Sequence, residues 1–226
     1  LTDLGHKPKA YVDIRDQKNI EKQTLELLEK FNIPFYPKSE IEGCEGKKEV
    51  KKVSIRTKKN QITKIKTSML CVSGGFNPDI HLFTQSKGLL KWDKDHLTFK
   101  PDRIFQKTIT LGSVSGNFSY EKLLVEVEKK LSEFEGLNEL EVKFELNGPE
   151  KFQIKELWET KHEKKSLWSK SFIDLQNDVT TKDLRQAVNE GFNRIEHLKR
   201  FTTNSMGTDQ GKISSINALG IVSKIL

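Results

Sequence analysis

Cysteine is scarce: the 226 residues hold two, Cys44 and Cys71. Two thiols build neither a disulfide framework nor a four-thiolate metal site. No apolar run reaches the length of about 18 residues that a membrane-spanning helix needs, and Leu1–Ala10 lacks the apolar core of a signal peptide. The expected setting is a reducing cytoplasm with no membrane partner. The five histidines, His6, His81, His96, His162 and His197, are scattered without metal-ligand spacing. No pairing of nucleophile and base stands out, so no catalytic centre is expected from this chain by itself. Hydrophobic residues make up only 35%, yet 13 Phe and 3 Trp allow a packed core, which excludes a wholly disordered chain.

Nor is charge of one sign concentrated. Lys plus Arg is 39 and Asp plus Glu 32, a formal net charge of +7. Lys and Glu are interspersed, as in Lys47–Lys52 and Glu121–Lys130. A nucleic-acid-binding face gathers cations into a stripe with stacking aromatics. This pattern reads instead as solvated surface, and no nucleic-acid partner is expected. The chain opens on Leu1 rather than Met, which raises the expectation of a fragment or a processed chain.

What is present is an α/β pattern. Lys9–Ile14 reads as a short strand, Asn19–Phe31 as a helix with Ile20, Leu25, Leu27, Leu28 and Phe31 at helical spacing, and Phe35-Tyr36 as the next strand. Asn32-Ile-Pro stops the helix, because proline disfavours helical backbone in the residue before it. Strand, helix, strand is the repeat of a parallel sheet. Residues 39–66 read as an antiparallel hairpin or meander turning at Lys58-Lys59-Asn60-Gln61. Met69–Ser73 and Ile109–Gly112 read as further strands, Cys71 as a core thiol, and Tyr120–Phe134 as an amphipathic helix stopped by Gly136. Leu140–Leu146 is a candidate strand and Asn147-Gly148-Pro149 a turn. The last stretch reads as all-helical. Its first helix is capped by Thr180 or Thr181, Gly191 separates two short helices, and Leu184, Val188, Phe192, Ile195 and Leu198 face the core. The expected division is an α/β domain over 1–136, incomplete at its N-terminal edge, a connector over 137–170 and a small helical domain over 171–226.

Four places carry candidate binding chemistry. Asp13 ends the first strand, where a dinucleotide-binding unit places an acid for the ribose hydroxyls; a solvated strand-end carboxylate is the competing reading. Gly74-Gly75 and the turn with Gly112, Ser113 and Gly116 are small enough for backbone N–H groups to approach a phosphate at a helix start, or to serve as packing turns. The densest is Lys199-Arg200-Phe-Thr202-Thr203 through Gln210-Gly211-Lys212. Its cations and hydroxyls can hold a phosphate by charge-assisted hydrogen bonds, against the reading of a polar interhelical loop.

Two stretches, Phe172-Ile-Asp-Leu-Gln-Asn-Asp-Val-Thr180 and Glu196-His-Leu-Lys-Arg-Phe-Thr-Thr-Asn-Ser-Met-Gly-Thr-Asp-Gln-Gly-Lys212, resemble the linker domain of the alpha subunit of heterotetrameric bacterial sarcosine oxidase. Val72-Ser-Gly-Gly-Phe-Asn-Pro-Asp-Ile-His-Leu82 and Leu90-Lys-Trp-Asp93 are similar to that subunit's nucleotide-binding region. The resemblance implies an internal piece of a much larger subunit. It would be the end of a dinucleotide-binding domain of the pyridine nucleotide-disulfide reductase kind, then the linker domain, before a folate-binding domain like an aminomethyltransferase. It implies an oxidoreductase that turns sarcosine into glycine, with formaldehyde or 5,10-methylenetetrahydrofolate and hydrogen peroxide as products. The implied partners are the beta, gamma and delta subunits.

For cofactors the resemblance implies NAD, with Asp13, Gly74, Gly75, Gly112, Ser113 and Gly116 as candidates. It also implies FMN at the interface with the beta subunit, with Lys199, Arg200, Thr202, Thr203, Gln210, Gly211 and Lys212. Flavoproteins of the broader class often carry an acid where Ser113 stands, which favours NAD over FAD. The linker domain further resembles a module that binds a two-iron two-sulfur cluster in other relatives. Aligned through Asp178-Val-Thr180 and Met206-Gly207, Asp174, Gln176, Asp209 and Ser214 stand at the four cysteine positions. Without thiolate ligands no cluster is expected. Another flavin-dependent amine or opine dehydrogenase subunit, or a non-catalytic interaction module, is the alternative.

Overall fold

The computed structural model describes residues 2–131, 154–160 and 165–226. They divide into two units. One combines Leu1–Ile14, Ile33–Leu70 and Leu157–Leu226; the other combines Arg15–Asn32 and Cys71–Glu156. The architecture is mixed α and β. The expected strand at Leu140–Leu146, the turn at Asn147-Gly148-Pro149 and the stop at Gly136 lie outside the described residues.

The first unit opens with β1 (Tyr11–Asp13) and β2 (Phe35–Pro37), which pair in parallel with Tyr11 opposite Phe35. The two rings stand 5.6 Å apart. Next come β3 (Glu40–Gly46), β4 (Val50–Arg56) and β5 (Ile62–Lys66), an antiparallel meander in that spatial order. Val53 and Ile55 of β4 are buried. The opposite face pairs Glu45 with Lys52 and Glu40 with Arg56. There Arg56 bonds Glu42 at 2.6 Å and Lys64 bonds Glu45 at 2.6 Å. These pairs set Arg56 and Lys64 of the sheet face against carboxylates. The turn falls at Lys58–Asn60 as expected, with Asn60 in the left-handed region (φ 60°) that asparagine tolerates.

The C-terminal stretch of this unit is not wholly helical, contrary to expectation. A hairpin of β8 (Phe172–Asp174) and β9 (Val179–Thr180) precedes α4 (Thr181–Asn189), α5 (Ile195–Thr202) and α6 (Ser215–Ile225). The hairpin exists because Asp174 accepts the N–H groups of Gln176 (2.9 Å) and Asn177 (3.2 Å), which folds the chain back. Thr180 caps α4, its N–H donating to Asp183 at 2.8 Å. Gly191 (φ 92°) breaks the chain between α4 and α5. Ile173, Val179, Leu184, Ala187, Leu198, Ala218, Ile221 and Val222 form the core, with Val188, Phe192 and Ile195 packed on it. Leu157–Thr160, part of the expected connector, is anchored here. Trp158 packs on the core, and its ring lies where a Cβ on Gly220 would stand. Glu159 takes a two-pronged bond from Arg185 (3.1 and 2.7 Å). Thr160 donates to the Ile41 carbonyl of β3 at 3.0 Å.

The second unit holds α1 (Lys22–Lys30), α2 (His81–Gln85), the antiparallel pair β6 (Leu89–Asp93) and β7 (Thr98–Arg103), a short 3-10 turn at Gly112–Ser115, and α3 (Tyr120–Leu131). Trp92 and Phe99 pack edge-on across the hairpin at 5.0 Å. Burial alone would raise the Asp93 carboxyl. Lys100 and the N–H groups of His96 and Asp95 outweigh it and hold the group well below the ordinary carboxylate range.

Two expected strands are absent. Met69–Ser73 is irregular, with Val72 80% exposed, and Cys71 is an exposed thiol rather than a core one. Residues 109–111 are likewise irregular and lead into the 3-10 turn. An apolar run marks a strand only where another strand takes its backbone bonds, and neither run has one among the described residues.

Candidate functional site

The Gly112–Gly116 turn is shaped by left-handed backbone at both ends, with φ 66° at Gly112 and 82° at Gly116. Its donors do converge, but on a side chain of the protein itself. Glu126 of α3 accepts the Gly112 N–H at 3.1 Å, the Ser115 hydroxyl at 2.9 Å and the Asn117 amide at 3.3 Å. The Lys100 side chain lies over Gly116, where a Cβ would collide with it. A phosphate at this turn would find its donors already turned onto a carboxylate, so the turn as built does not fit one. Replacing Glu126 with alanine is expected to lower stability by about 1–3 kcal/mol, the cost of leaving such donors unsatisfied. Denaturant titration of the chain checks this, and glutamine should restore only part of the loss.

The other glycine candidates for NAD, Gly74 and Gly75, are more open. Asp13 ends β1, and its carbonyl takes the Ser39 N–H at 3.1 Å. Asp13 belongs to the first unit and the glycines to the second. A Cβ on Gly74 would meet nothing, and Gly75 sits at φ 100°.

The Lys199–Lys212 loop is organised by a residue outside it. Asp174 is 3% exposed. Besides the two hairpin amides, it accepts the Ser205 N–H at 2.8 Å and the Ser214 hydroxyl at 3.4 Å. Ser205 and Ser214 share a hydrogen bond of 2.9 Å, Ser215 donates to Ser205 at 2.9 Å, and Asn204 donates to Ser205 at 2.8 Å. Burial would raise the Asp174 carboxyl; the amides of Ser205, Gln176 and Asn177 reverse the sign and lower it. Beside this network, the Gln176 side chain accepts from the Thr208 hydroxyl at 2.9 Å and from the Asp209 N–H at 3.4 Å. It rests where a Cβ on Gly207 would stand. Asp209 in turn takes the Gly211 and Ile213 N–H groups at 3.1 and 3.2 Å. Asp174 and Ser214 are thus neighbours, as are Gln176 and Asp209.

The predicted donors of this loop are disposed unequally. Thr202 donates to the Leu198 carbonyl at 2.9 Å and Thr203 to the Thr202 carbonyl at 2.6 Å, so both hydroxyl protons are spent on backbone. Gly211 is buried, while Arg200, Gln210 and Lys212 are exposed and Lys199 half-buried. Lys199 and Arg200 occupy the last turn of α5, where cations complement the helix dipole. These cationic donors at the surface fit an anionic group better than the Thr pair does. Sequence reasoning missed Asn204, Ser205, Ser215 and Glu126. Small hydroxyls between apolar residues are a weak signal, and Glu126 reads only as one charge on the polar face of α3. Among the described residues, no group of three or more His, Cys, Asp or Glu could hold a metal ion. None of the described helices is long and apolar enough to cross a membrane.

Comparison with known proteins places these features. Residues 168–226 match the model of the sarcosine oxidase A3 domain. The chain is 32% identical over 167 residues to the sarcosine oxidase subunit alpha of Rhizobium meliloti (strain 1021), covering 71% of this chain and 16% of the relative. It is 28% identical over 169 residues to that of Corynebacterium sp. (strain P-1), covering 72% and 18%. The matched stretch is therefore less than a fifth of the length of these relatives. Among solved structures, L-proline dehydrogenase from P. horikoshii shares the fold, with a TM-score of 0.54 and 22% identity over 94% of this chain and 44% of that one. The resemblance read from Phe172–Thr180 and Glu196–Lys212 is supported by these matches, which make the chain similar to a stretch of the sarcosine oxidase alpha subunits.

Proposed function

We propose that this chain is a cofactor-contact and subunit-contact part of an oxidoreductase that oxidises the CH–NH bond of sarcosine. The assembled enzyme would convert sarcosine, water and oxygen to glycine, formaldehyde and hydrogen peroxide, or pass the carbon to tetrahydrofolate. It would do so in the cytoplasm, with the beta, gamma and delta subunits as partners. The observation that carries the reading is the loop pinned by Asp174. The A3 match falls on it, and its cations, Arg200 and Lys212, are left at the surface. In this reading Lys199, Arg200, Gln210 and Lys212 hold the phosphate of FMN at the interface with the beta subunit, and flavin supplies the acceptor of the substrate's hydride. Residues 171–226 would be the linker domain, with the hydrogen-bonded side chains of Asp174, Gln176, Asp209 and Ser214 where related modules place thiolates, and no iron–sulfur cluster. Residues 1–136 would belong to the dinucleotide-binding domain, with Asp13, Gly74 and Gly75 as NAD contacts. The Gly112–Gly116 turn would serve that domain as structure while Glu126 holds it.

The test is made on the complete assembly. Arg200→Ala with Lys212→Ala is expected to lower the flavin retained per complex, read by absorbance, at unchanged subunit stoichiometry. Full flavin content in the double variant would remove the loop from the site. A wild-type complex with no flavin would remove the function.

A further inference from the structure

From Asp209 to Ile213 every backbone N–H is taken inside the protein. Asp209 donates to the Gln176 side chain, Gln210 to the Gly207 carbonyl at 3.0 Å and Lys212 to the Asp209 carbonyl at 3.2 Å. Gly211 and Ile213 donate to the Asp209 carboxylate, which thereby faces its own turn. The hydroxyls of Thr202, Thr203 and Thr208 are spent as well. An anion held beside this turn can draw no backbone donor from those five residues. The neutral donors it meets must come from side-chain amides.

Gln176 carries such an amide. Its Oε1 takes the Thr208 hydroxyl and the Asp209 N–H. A backbone N–H only donates, so the carboxamide is oriented with its oxygen toward the turn. Its Nε2 is left with two N–H bonds that meet no acceptor among the described residues. An exposed glutamine ordinarily samples many rotamers. This one is held at both ends: Asp174 takes its backbone N–H at 2.9 Å, and its side chain occupies the space where Gly207 lacks a Cβ. Gly207 is not in the left-handed region. What its missing side chain provides is room for this amide.

We propose that Gln176 is a binding residue for a phosphate monoester at this loop, its Nε2 donating to a phosphate oxygen beside the 209–212 turn. A donor facing an ionised oxygen makes a charge-assisted hydrogen bond, and a side chain ordered before binding loses little freedom in making it. The proposal rests on the reading of the loop as the contact for the FMN phosphate. It adds a neutral donor to the cations of that reading, and one whose effect is confined to the phosphate. Riboflavin, which has the same ring system and no phosphate, does not meet it.

The experiment uses the complete assembly, produced without flavin and titrated with FMN or with riboflavin. Gln176→Glu keeps an oxygen for Thr208 and Asp209 but replaces the N–H pair with negative charge. It is expected to weaken FMN binding by about tenfold or more, with riboflavin binding and the melting temperature unchanged. Should glutamate lower the melting temperature, Gln176→Met reads the same contact, since it keeps a side chain over Gly207 and has no N–H to give. It too should weaken FMN binding and spare riboflavin. Wild-type FMN affinity in the folded variant overturns the proposal. So does an equal loss of FMN and riboflavin, which would show that Gln176 shapes the site without touching the phosphate. If Arg200→Ala with Lys212→Ala lowers FMN binding and the Gln176 variants do not, the Gln176 contact alone fails. If none of these variants alters FMN binding, the reading of the loop fails with it.

Discussion

Asp174→Ala is expected to cost about 3 kcal/mol or more of folding stability, because it strips a buried carboxylate from the amides and hydroxyl it satisfies. The Ser205, Gln176 and Asn177 amides and the Ser214 hydroxyl would lose their acceptor together. Asp174→Asn should be nearly as harmful. The amide nitrogen of asparagine is a donor, and whichever way it faces it meets an N–H group. Denaturant titration of the intact subunit measures both. The carboxylate also sets a pH dependence. Its folded pKa lies below the ordinary 3.8, so the unfolded chain takes up a proton more readily. Its contribution is complete above that ordinary value and is lost as pH falls toward the folded value. Asp93 acts with the same sign in the other unit, through Lys100 and the β6–β7 turn amides. The acid limb of stability should therefore shrink, not vanish, in Asp174→Asn. An unaltered acid limb would show that Asp174 does not titrate with folding.

Gly220→Ala is expected to destabilise by about 1–3 kcal/mol through overpacking, because its Cβ would enter the Trp158 ring. Trp158→Ala should itself cost about 3 kcal/mol as a large-to-small change against the core. The double variant carries the informative result. With the ring gone, alanine gains about 1 kcal/mol over glycine in a helix interior, so the sign of Gly220→Ala should reverse. A double-mutant cycle by chemical denaturation measures that coupling. Additive costs would mean that Trp158 does not sit on α6.

Much of this fold is legible in the residues themselves. The Thr180 cap, the break at Gly191 and the turn at Lys58–Asn60 are local effects, decided within a few positions of chain. Leu184 and Leu198 announce their burial by helical spacing. The misreadings share a cause of the opposite kind. Met69–Ser73 has the composition of a strand, but no neighbour to pair with, and pairing is not written in the run. Trp158 hides in a charged stretch because its place depends on a glycine in α6. The Asp174 network is assembled from partners 31 and 40 positions away. From the sequence, Asp174, Gln176, Asp209 and Ser214 stand out only through the resemblance, as places where thiols are missing. That they are two adjoining pairs joined by hydrogen bonds is visible only once the chain is folded.

The bond from Thr160 to Ile41 spans 119 positions, and that span bears on the order in which the molecule forms. Closing a loop costs conformational entropy that rises with its length, whereas α4, α5 and α6 meet across short connections and the meander β3–β5 is made of successive hairpins. Each of these can gather early, as local contacts do. Attachment of the 157–160 stretch to β3 comes after both, and during synthesis it must wait until the ribosome has released the residues between Ile41 and Thr160. In pulse-labelled hydrogen exchange the amides of α4–α6 and of β4 should gain protection before those around Thr160. The first unit thus closes last at the point where its distant parts join.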